Sequence, residues 1–519
     1  MRDKDSFYAY TYDNLDRAKT ITFGETTAHN TFAGYSLVYD YGSRADGLID
    51  NVKATFAGTA DFMTKYGYDE NMHVNKITQS SQTGHDNVAY KDVSLKIDAD
   101  GRLQTVFRYG SAVSPLVSAS KYEYDADGRL VEVWHAADLN ALDNATALAH
   151  YHQHYNEQQR LDDLSISQSG KSFTDLAYTY DNSGQLTDVS KHVADLSSSE
   201  AYRYDQNGNR TSANGATYTP PNAGDLNRLQ NDGEYAYTYT AFGERATRTM
   251  LDASGHATLE HTVYTWDNRH RLTDVAVYAS SAYLGNATKT IHYTYDVFNQ
   301  LILTQVTNVT EFTTQTTFTQ FVHDRGECVL TNRWTVGDGV LPPPTLTRFL
   351  YGPETDQLLA IEVSTSAATS GTVYWAYSDY LGTVRELRTN TNERVSWRDF
   401  DSFGNIIAEE RSATFTAAMP VAFTGRWWDA DSRLYQYRAR WYDPHTGEFL
   451  SPDPIQDDFN NTYRYVGNGP TDGADSRKSA SIRIAIRNGF IKGSEIGGWT
   501  SNPGGRLKLL ARSFPEVFC

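Results

Sequence analysis

Cysteine is almost absent from this chain. Cys328 and Cys519 are the only two in 519 residues, too few for a disulfide framework, and they leave the compartment undecided. No apolar run approaches the roughly 20 residues that a membrane-spanning helix needs. The opening stretch, Met1-Arg-Asp-Lys-Asp-Ser-Phe-Tyr8, lacks the apolar core of a signal peptide. Helical periodicity is hardly recognisable before residue 480. No Ser-His-Asp signature, phosphate loop or dinucleotide fingerprint occurs, so no cofactor is expected. Positive charge is also short: 46 Lys and Arg face 64 Asp and Glu, a net of −18. That balance argues against nucleic acid as a partner.

What the chain has in abundance is tyrosine, 36 residues in all, arranged in a signature that returns about every 28 residues. Its cleanest copy runs from Tyr122 through Tyr124, Asp125 and Gly128 to Leu130. Close relatives run from Tyr178 to Leu186 and from Tyr202 to Gly208. The Asp of each unit falls at Asp13, Asp40, Asp69, Asp98, Asp125, Asn156, Asp181, Asp205, Thr240, Asp267 and Asp296. Asn156 and Thr240 are degenerate anchors whose flanks keep the pattern. A period of this size means repeated supersecondary units, not one irregular core.

Each unit has a physical reading. Tyr-x-Tyr places two rings on one face of an extended strand. Asp-x-x-Gly fits a type I turn, with Asp capping backbone N–H groups and Gly free to take positive φ. The following Leu starts the returning strand. Single hairpins are marginal in water, but stacked hairpins share an apolar face and satisfy one another's edges. The expected fold is therefore all-β, an extended and curling sheet of hairpins over residues 8–475, with the tyrosine pairs on the concave face.

The register loosens after Asp296. Thr-rich sequence from Thr304 to Thr319 and Pro342-Pro343-Pro344 precede a different block. That block includes Asp379, Gly382, Asp401, Gly404, Trp427 and Trp428. It closes on Arg440-Trp-Tyr-Asp-Pro-x-x-Gly447-x-Phe-x-Ser-x-Asp453-Pro-Ile455, followed by Tyr463-Arg-Tyr465-Val-Gly-Asn468. Four of nine tryptophans lie between Trp397 and Trp441, a density that suits a packed closing element.

These residues, with the Tyr-Asp repeats, resemble the RHS/YD-repeat proteins and their RHS-associated core domain, over residues 1 to about 475. The resemblance implies a sheet that spirals into a hollow shell, plugged at one end by the core domain. It divides the chain into a repeat array at 1–345, a core domain at 346–475 and a divergent basic tail at 476–519. In function it implies a secreted or cell-surface shell that encloses and delivers a C-terminal, toxin-like segment of its own chain. The alternative it leaves open is an adhesion module for carbohydrate or partner proteins, as animal teneurins use the same shell. Partners would be the chain's own cargo, with surface glycans or a neighbouring immunity or secretion protein as further candidates. The start reads as a chain entered mid-array.

Members of this family are also similar in cutting their own chain after the core domain with paired carboxylates, one protonated and one activating water. Carried over residue by residue, the family's Arg falls on Arg440 and its catalytic aspartates on Asp453 and Asp475. Asp475 departs from the pattern, because Ser476-Arg477-Lys478-Ser479 stand where Pro-x-Gly-Leu should follow. Residues 476–519 hold eight Lys and Arg against two Glu, a net of +6, which leaves −24 for residues 1–475. The change of character reads as a frameshift or recombination junction, or as a short variable tip. At most, the enzymatic expectation is aspartyl-type self-cleavage, and the missing residues argue against it here. Two further constellations carry less. His150, His152 and His154 would share one strand face without a matching ligand, and Asp98-Ala-Asp100-Gly101 lacks the distal Glu of a calcium loop.

Overall fold

The computed structural model of the chain describes residues 6–25, 33–43, 46–113, 115–219, 226–280, 286–415, 417, 419–454 and 461–471. Among them there is no α-helix, only strands, turns and three 3-10 turns. A 17-stranded sheet runs from Ser6–Tyr12 to Ala216–Thr217, a 14-stranded sheet from Tyr235–Tyr239 to Ile406–Arg411, and a four-stranded sheet from Trp427–Asp429 to Glu448–Phe449. Strands pair antiparallel with their chain neighbours, as in Tyr178↔Val189 and Arg248↔Thr262. The second sheet continues through residue 345 with pairing intact, Leu330 opposite Arg348.

The anchors do more than turn the chain. Asp125 closes its turn with Gly128 N–H donating to its carbonyl at 3.0 Å. Its Oδ1 accepts the N–H groups of Asp127 and Arg129 at 3.0 and 2.9 Å, and its Oδ2 accepts Arg129 Nε at 2.6 Å. Arg129 is thereby held with its guanidinium 5.0 Å from the ring centroid of Tyr155, in the next unit. The Tyr155 hydroxyl donates back to Leu130 O at 2.9 Å. The same chain of contacts links Asp98, Arg102, Tyr124 and Leu103, and Asp267, Arg271, Tyr295 and Leu272. One carboxylate therefore caps its own turn and, through the arginine, fixes the register of the following hairpin. Its oxygens are taken up by these donors, which accounts for the Asp-rich loops without a cation.

Two departures from the expected array have simple causes. At Asp40 the glycine comes two residues later instead of three, and the hairpin opens into a longer loop closed by Asp50 N–H onto Asp40 O at 2.8 Å. Beyond residue 346, Asp379 and Asp401 make the same turn as the repeats, with Gly382 and Gly404 donating to their carbonyls at 3.0 and 3.1 Å. The core block is thus built from the same unit, although its side chains differ. Asp267→Ala should lose two backbone caps and the hold on Arg271, and cost about 1–2 kcal/mol. A urea midpoint unchanged from wild type would show that the cap does not stabilise the register.

The first two sheets are laid against one another in the same order. Val93 and Val106 of the first pack with Ala360 and Trp375 of the second. Leu37 and Val52 pack with Ile302 and Val322, and Tyr178 and Leu186 share a cluster with Phe403. The tyrosine pairs belong to this buried face, Tyr178 being 7% exposed. Hydrogen bonds mark the winding. Tyr8 reaches Asp296 across 288 residues, Tyr377 reaches Ser118 across 259, Trp397 reaches Gln168 across 229, and Ser402 reaches Glu200 across 202. The chain returns on itself sooner with each step, so the sheet spirals in a narrowing turn. Among the described residues no helix is long and apolar enough to cross a membrane.

Candidate functional site at the closing element

The four-stranded sheet at the end of the spiral is short but almost wholly buried. Tyr435, Tyr437, Tyr442, Phe449 and Tyr465 form one aromatic cluster with Phe400 and Phe423, and the Tyr442 and Tyr465 rings lie 4.6 Å apart. Their hydroxyls find partners in the wall: Tyr435 donates to Gly404 O at 2.9 Å and Tyr442 to Phe403 O at 2.8 Å. Trp441 Nε1 donates to Tyr295 OH at 2.9 Å. Tyr463 OH donates to Gly243 O at 2.8 Å and Asn468 Nδ2 to Gln185 Oε1 at 2.9 Å. The closing element therefore seats against both large sheets, and the dense tryptophan region is packing.

Arg440 and Asp453, far apart in character from this apolar surround, come together here. The Arg440 guanidinium carbon sits 3.5 Å from the Phe449 ring centroid. Its Nη1 donates to Thr462 O at 3.2 Å, and its Nη2 lies 3.9 Å from Asp453 Oδ2. Asp453 N–H donates to the same Thr462 carbonyl at 3.1 Å. Both side chains are nearly sealed from solvent, at 5% and 2% exposure. A buried carboxylate beside a guanidinium, on a backbone carbonyl they share, can activate or orient a reacting group. Asp475, the third member of the expected trio, lies outside the described residues, as does the whole of 476–519.

A second ionisable cluster, which sequence reasoning missed, occupies the other side of the same strand. Side chains alternate along Glu448–Phe449, so while Phe449 meets Arg440, Glu448 faces Arg245 and Arg210. Burial pushes the Glu448 carboxyl up to about 7, the more so with Asp443 and Asp232 nearby, although Arg245 and Arg210 oppose the shift. Its Oε2 has no hydrogen-bond partner among the described residues. Arg245 pairs with Asp443, and donates to Thr446 Oγ1 at 3.3 Å. Burial alone would raise the Asp443 carboxyl, but Arg245, His445 and Arg248 hold it below the usual range. His445 Nε2 lies 3.0 Å from Asp232 Oδ2, which also accepts the Tyr237 hydroxyl. The only sequence signal for this cluster was the charge density around Asp443 and Glu448 in an otherwise aromatic block.

The three histidines of the strand Ala149–Tyr155 are engaged with carboxylates. His152 Nδ1 lies 2.7 Å from Glu132 Oε1, which side chain also pairs with His150, and His154 Nδ1 lies 2.7 Å from Asp162 Oδ1. Among the described residues no group of three or more potential ligands is placed to hold a metal ion.

Known proteins share this architecture. The pattern of the Teneurin YD-shell family matches residues 141–471. Toxin protein Tse5 of Pseudomonas aeruginosa is 24% identical over 509 residues, covering 84% of this chain and 37% of that protein. Salivary gland surface protein 1 of Aedes aegypti is 27% identical over 162 residues, covering 31% of this chain and 4% of that protein. The chain thus spans well under half the length of these curated relatives. Among solved structures, the Photorhabdus luminescens Tc holotoxin pore superposes with a TM-score of 0.61 at 13% identity, over 91% of this chain and 23% of that one. At that identity the likeness is one of fold.

Proposed function

Because this chain belongs to the Teneurin YD-shell family, we propose that it is the closing part of an encapsulating shell, whose spiral wall encloses the polypeptide that follows residue 471. The observation that carries this reading is the narrowing turn, in which contacts shorten from 288 to 202 residues and end on a buried plug. A wall that tightens onto a plug isolates what lies behind it, and a sheet whose hairpins are locked unit to unit resists opening. The enclosed segment is a toxin-like cargo in this reading, carried by a secreted or surface protein and delivered from it. Arg440, Asp453 and Asp475 would at most serve aspartyl-type self-cleavage after the closing element, and Ser476-Arg477-Lys478-Ser479 in place of Pro-x-Gly-Leu argue against it in this chain.

Limited proteolysis tests the enclosure directly. Residues 476–519 carry eight Lys and Arg, so trypsin has ample sites there. Native protein should resist cutting in this segment while the same protein in urea is cut at once, as read by mass spectrometry. Rapid tryptic loss of 476–519 from an otherwise intact native chain would overturn the proposal.

A further inference from the structure

Four ionisable side chains are sealed between the two large sheets, Asp61 and Lys91 from the first and Arg348 and Glu362 from the second, each with no solvent exposure. Lys91 opens the strand Lys91–Ile97, and Glu362 lies in the strand Leu358–Ser364. The Lys91 ammonium donates to Glu362 Oε2 and to Ala89 O, the latter at 2.9 Å. The other carboxylate oxygen, Oε1, sits in a cradle of three donors. It accepts Ala89 N–H at 3.0 Å, Gly371 N–H at 2.9 Å and Arg348 Nη1 at 3.1 Å. A Cβ on residue 371 would meet Val363 O at 2.3 Å and Glu362 Cγ at 3.0 Å, so glycine is what lets that N–H come so close. Arg348 turns its Nε and Nη2 to Asp61, at 2.7 and 2.9 Å.

An amine held against a carboxyl and away from water is one dehydration step from an amide. Fixing two reacting groups in contact removes much of the barrier to their reaction. Donors aimed at the oxygen on which negative charge develops lower it further, and Glu362 Oε1 has three of them. Burial pushes the Lys91 amine below its ordinary value, although Glu362 opposes the shift. Burial also disfavours the Glu362 carboxylate, although Lys91 and Arg348 hold it ionised. Passing one proton from the ammonium to the carboxylate removes two buried charges at once, and desolvated charges are costly. Arg348 and Asp61 remain bonded to each other, so neither is left alone.

We propose that Lys91 and Glu362 condense to an intramolecular isopeptide bond, which ties the first sheet to the second across 271 residues. Nζ bonds to Cδ, and the Cδ–Oε2 bond breaks. Two of the three ammonium protons go to Oε2, which leaves as water, and the third stays on the amide nitrogen. No group is oxidised or reduced. Oε1 becomes the amide oxygen within its cradle of donors. Until the bond forms, the four groups act as an ion-paired quartet. The proposal does not depend on what lies behind the closing element.

Intact-mass spectrometry of the full chain, fresh and after a week near neutral pH at room temperature, tests it. The incubated protein should fall below the mass its sequence dictates by one water. Its tryptic digest should hold a branched peptide joining the segment around Lys91 to that around Glu362, uncut after Lys91. On a denaturing gel the linked chain, closed into a large loop, should run ahead of the open one. Lys91→Arg keeps a cation beside Glu362 but has no amine to acylate, so it should retain its full mass and a single band, with folding verified by a thermal melt. The wild-type measurement stands alone if that variant does not fold. An unchanged wild-type mass after incubation, a water loss that maps to other residues, or the same loss in folded Lys91→Arg would overturn the proposal.

Discussion

Arg348→Met is expected to destabilise the protein by about 3–5 kcal/mol, the cost of removing one partner from a buried ion pair. Arg348 lies between the two large sheets with Lys91, Asp61 and Glu362, and all four side chains are fully buried. It grips Asp61 with two parallel bonds, Nε at 2.7 Å and Nη2 at 2.9 Å, and reaches Glu362 from Nη1 at 3.1 Å. Glu362 also pairs with Lys91 and accepts the N–H groups of Ala89 and Gly371 at 3.0 and 2.9 Å. Asp61 and Lys91 belong to the first sheet and Arg348 and Glu362 to the second, so the quartet ties one turn of the spiral to the next. Methionine would fill much of the space yet leave Asp61 without its fork. Burial pushes the Glu362 carboxyl up, but Lys91 and Arg348 hold it below the usual carboxylate range. A carboxyl depressed in this way contributes stability above its unfolded pKa and loses it as pH falls. The variant's deficit should therefore be largest near neutral pH and shrink in acid, where the Glu362 carboxylate takes up a proton. Urea midpoints at neutral and acidic pH measure both effects. A loss under about 1 kcal/mol at neutral pH, the value of an ordinary surface pair, would mean that the turns are held together by apolar packing alone.

Glu448 should make the protein less stable as pH rises from about 4.5 to about 7. Its carboxyl is raised in the folded state, from an ordinary value near 4.5 to about 7, so in that interval the folded chain holds a proton that the unfolded chain has released. Stability falls with pH wherever the unfolded state binds fewer protons. At roughly 1.4 kcal/mol per pH unit the shift amounts to about 3 kcal/mol. His445 acts in the same sense: burial lowers its pKa, but Asp232 and Asp443 raise it overall, and the stability it contributes is lost as pH climbs through the raised value. His135 and His323 act oppositely, because burial holds them neutral, at about 3 and about 4. Comparison of Glu448→Gln with wild type isolates the one group. The two proteins should be equally stable near pH 4.5, and the variant should be more stable by about 3 kcal/mol near pH 8. Parallel stability curves across that range would show that Glu448 titrates normally.

The repeat was legible because the turn is a local object. Asp at one position, a residue that accepts positive φ three later and an aromatic or apolar pair one and three before need only neighbours in sequence; Asp98, Asp125, Asp181 and Asp205 close their turns on Gly, and Asp267 and Asp296 close the same turn on His270 and Asn299. The hairpin identity of the block around Asp379 and Asp401 was less visible, because its aromatic side chains serve contact with the closing element and mask the shared turn. At the site, Arg440 and Asp453 were found through the resemblance of a long motif, and their approach to 3.9 Å depends on Thr462 and Phe449.

The sequence by itself determined the fold class, the hairpin unit and its period, since φ preference, side-chain alternation and Asp capping act within a few residues. Only the tertiary structure decided which units meet. Nothing in the chain announces that Arg348 closes on Asp61 across 287 residues or that Arg245 closes on Asp443 across 198. These placements follow from sheet curvature summed over many strands, and each small twist moves the distant partner by much more than a hydrogen-bond length. The charge state of Glu448 belongs to the same category, because desolvation depends on everything packed around a group and not on its neighbours in sequence.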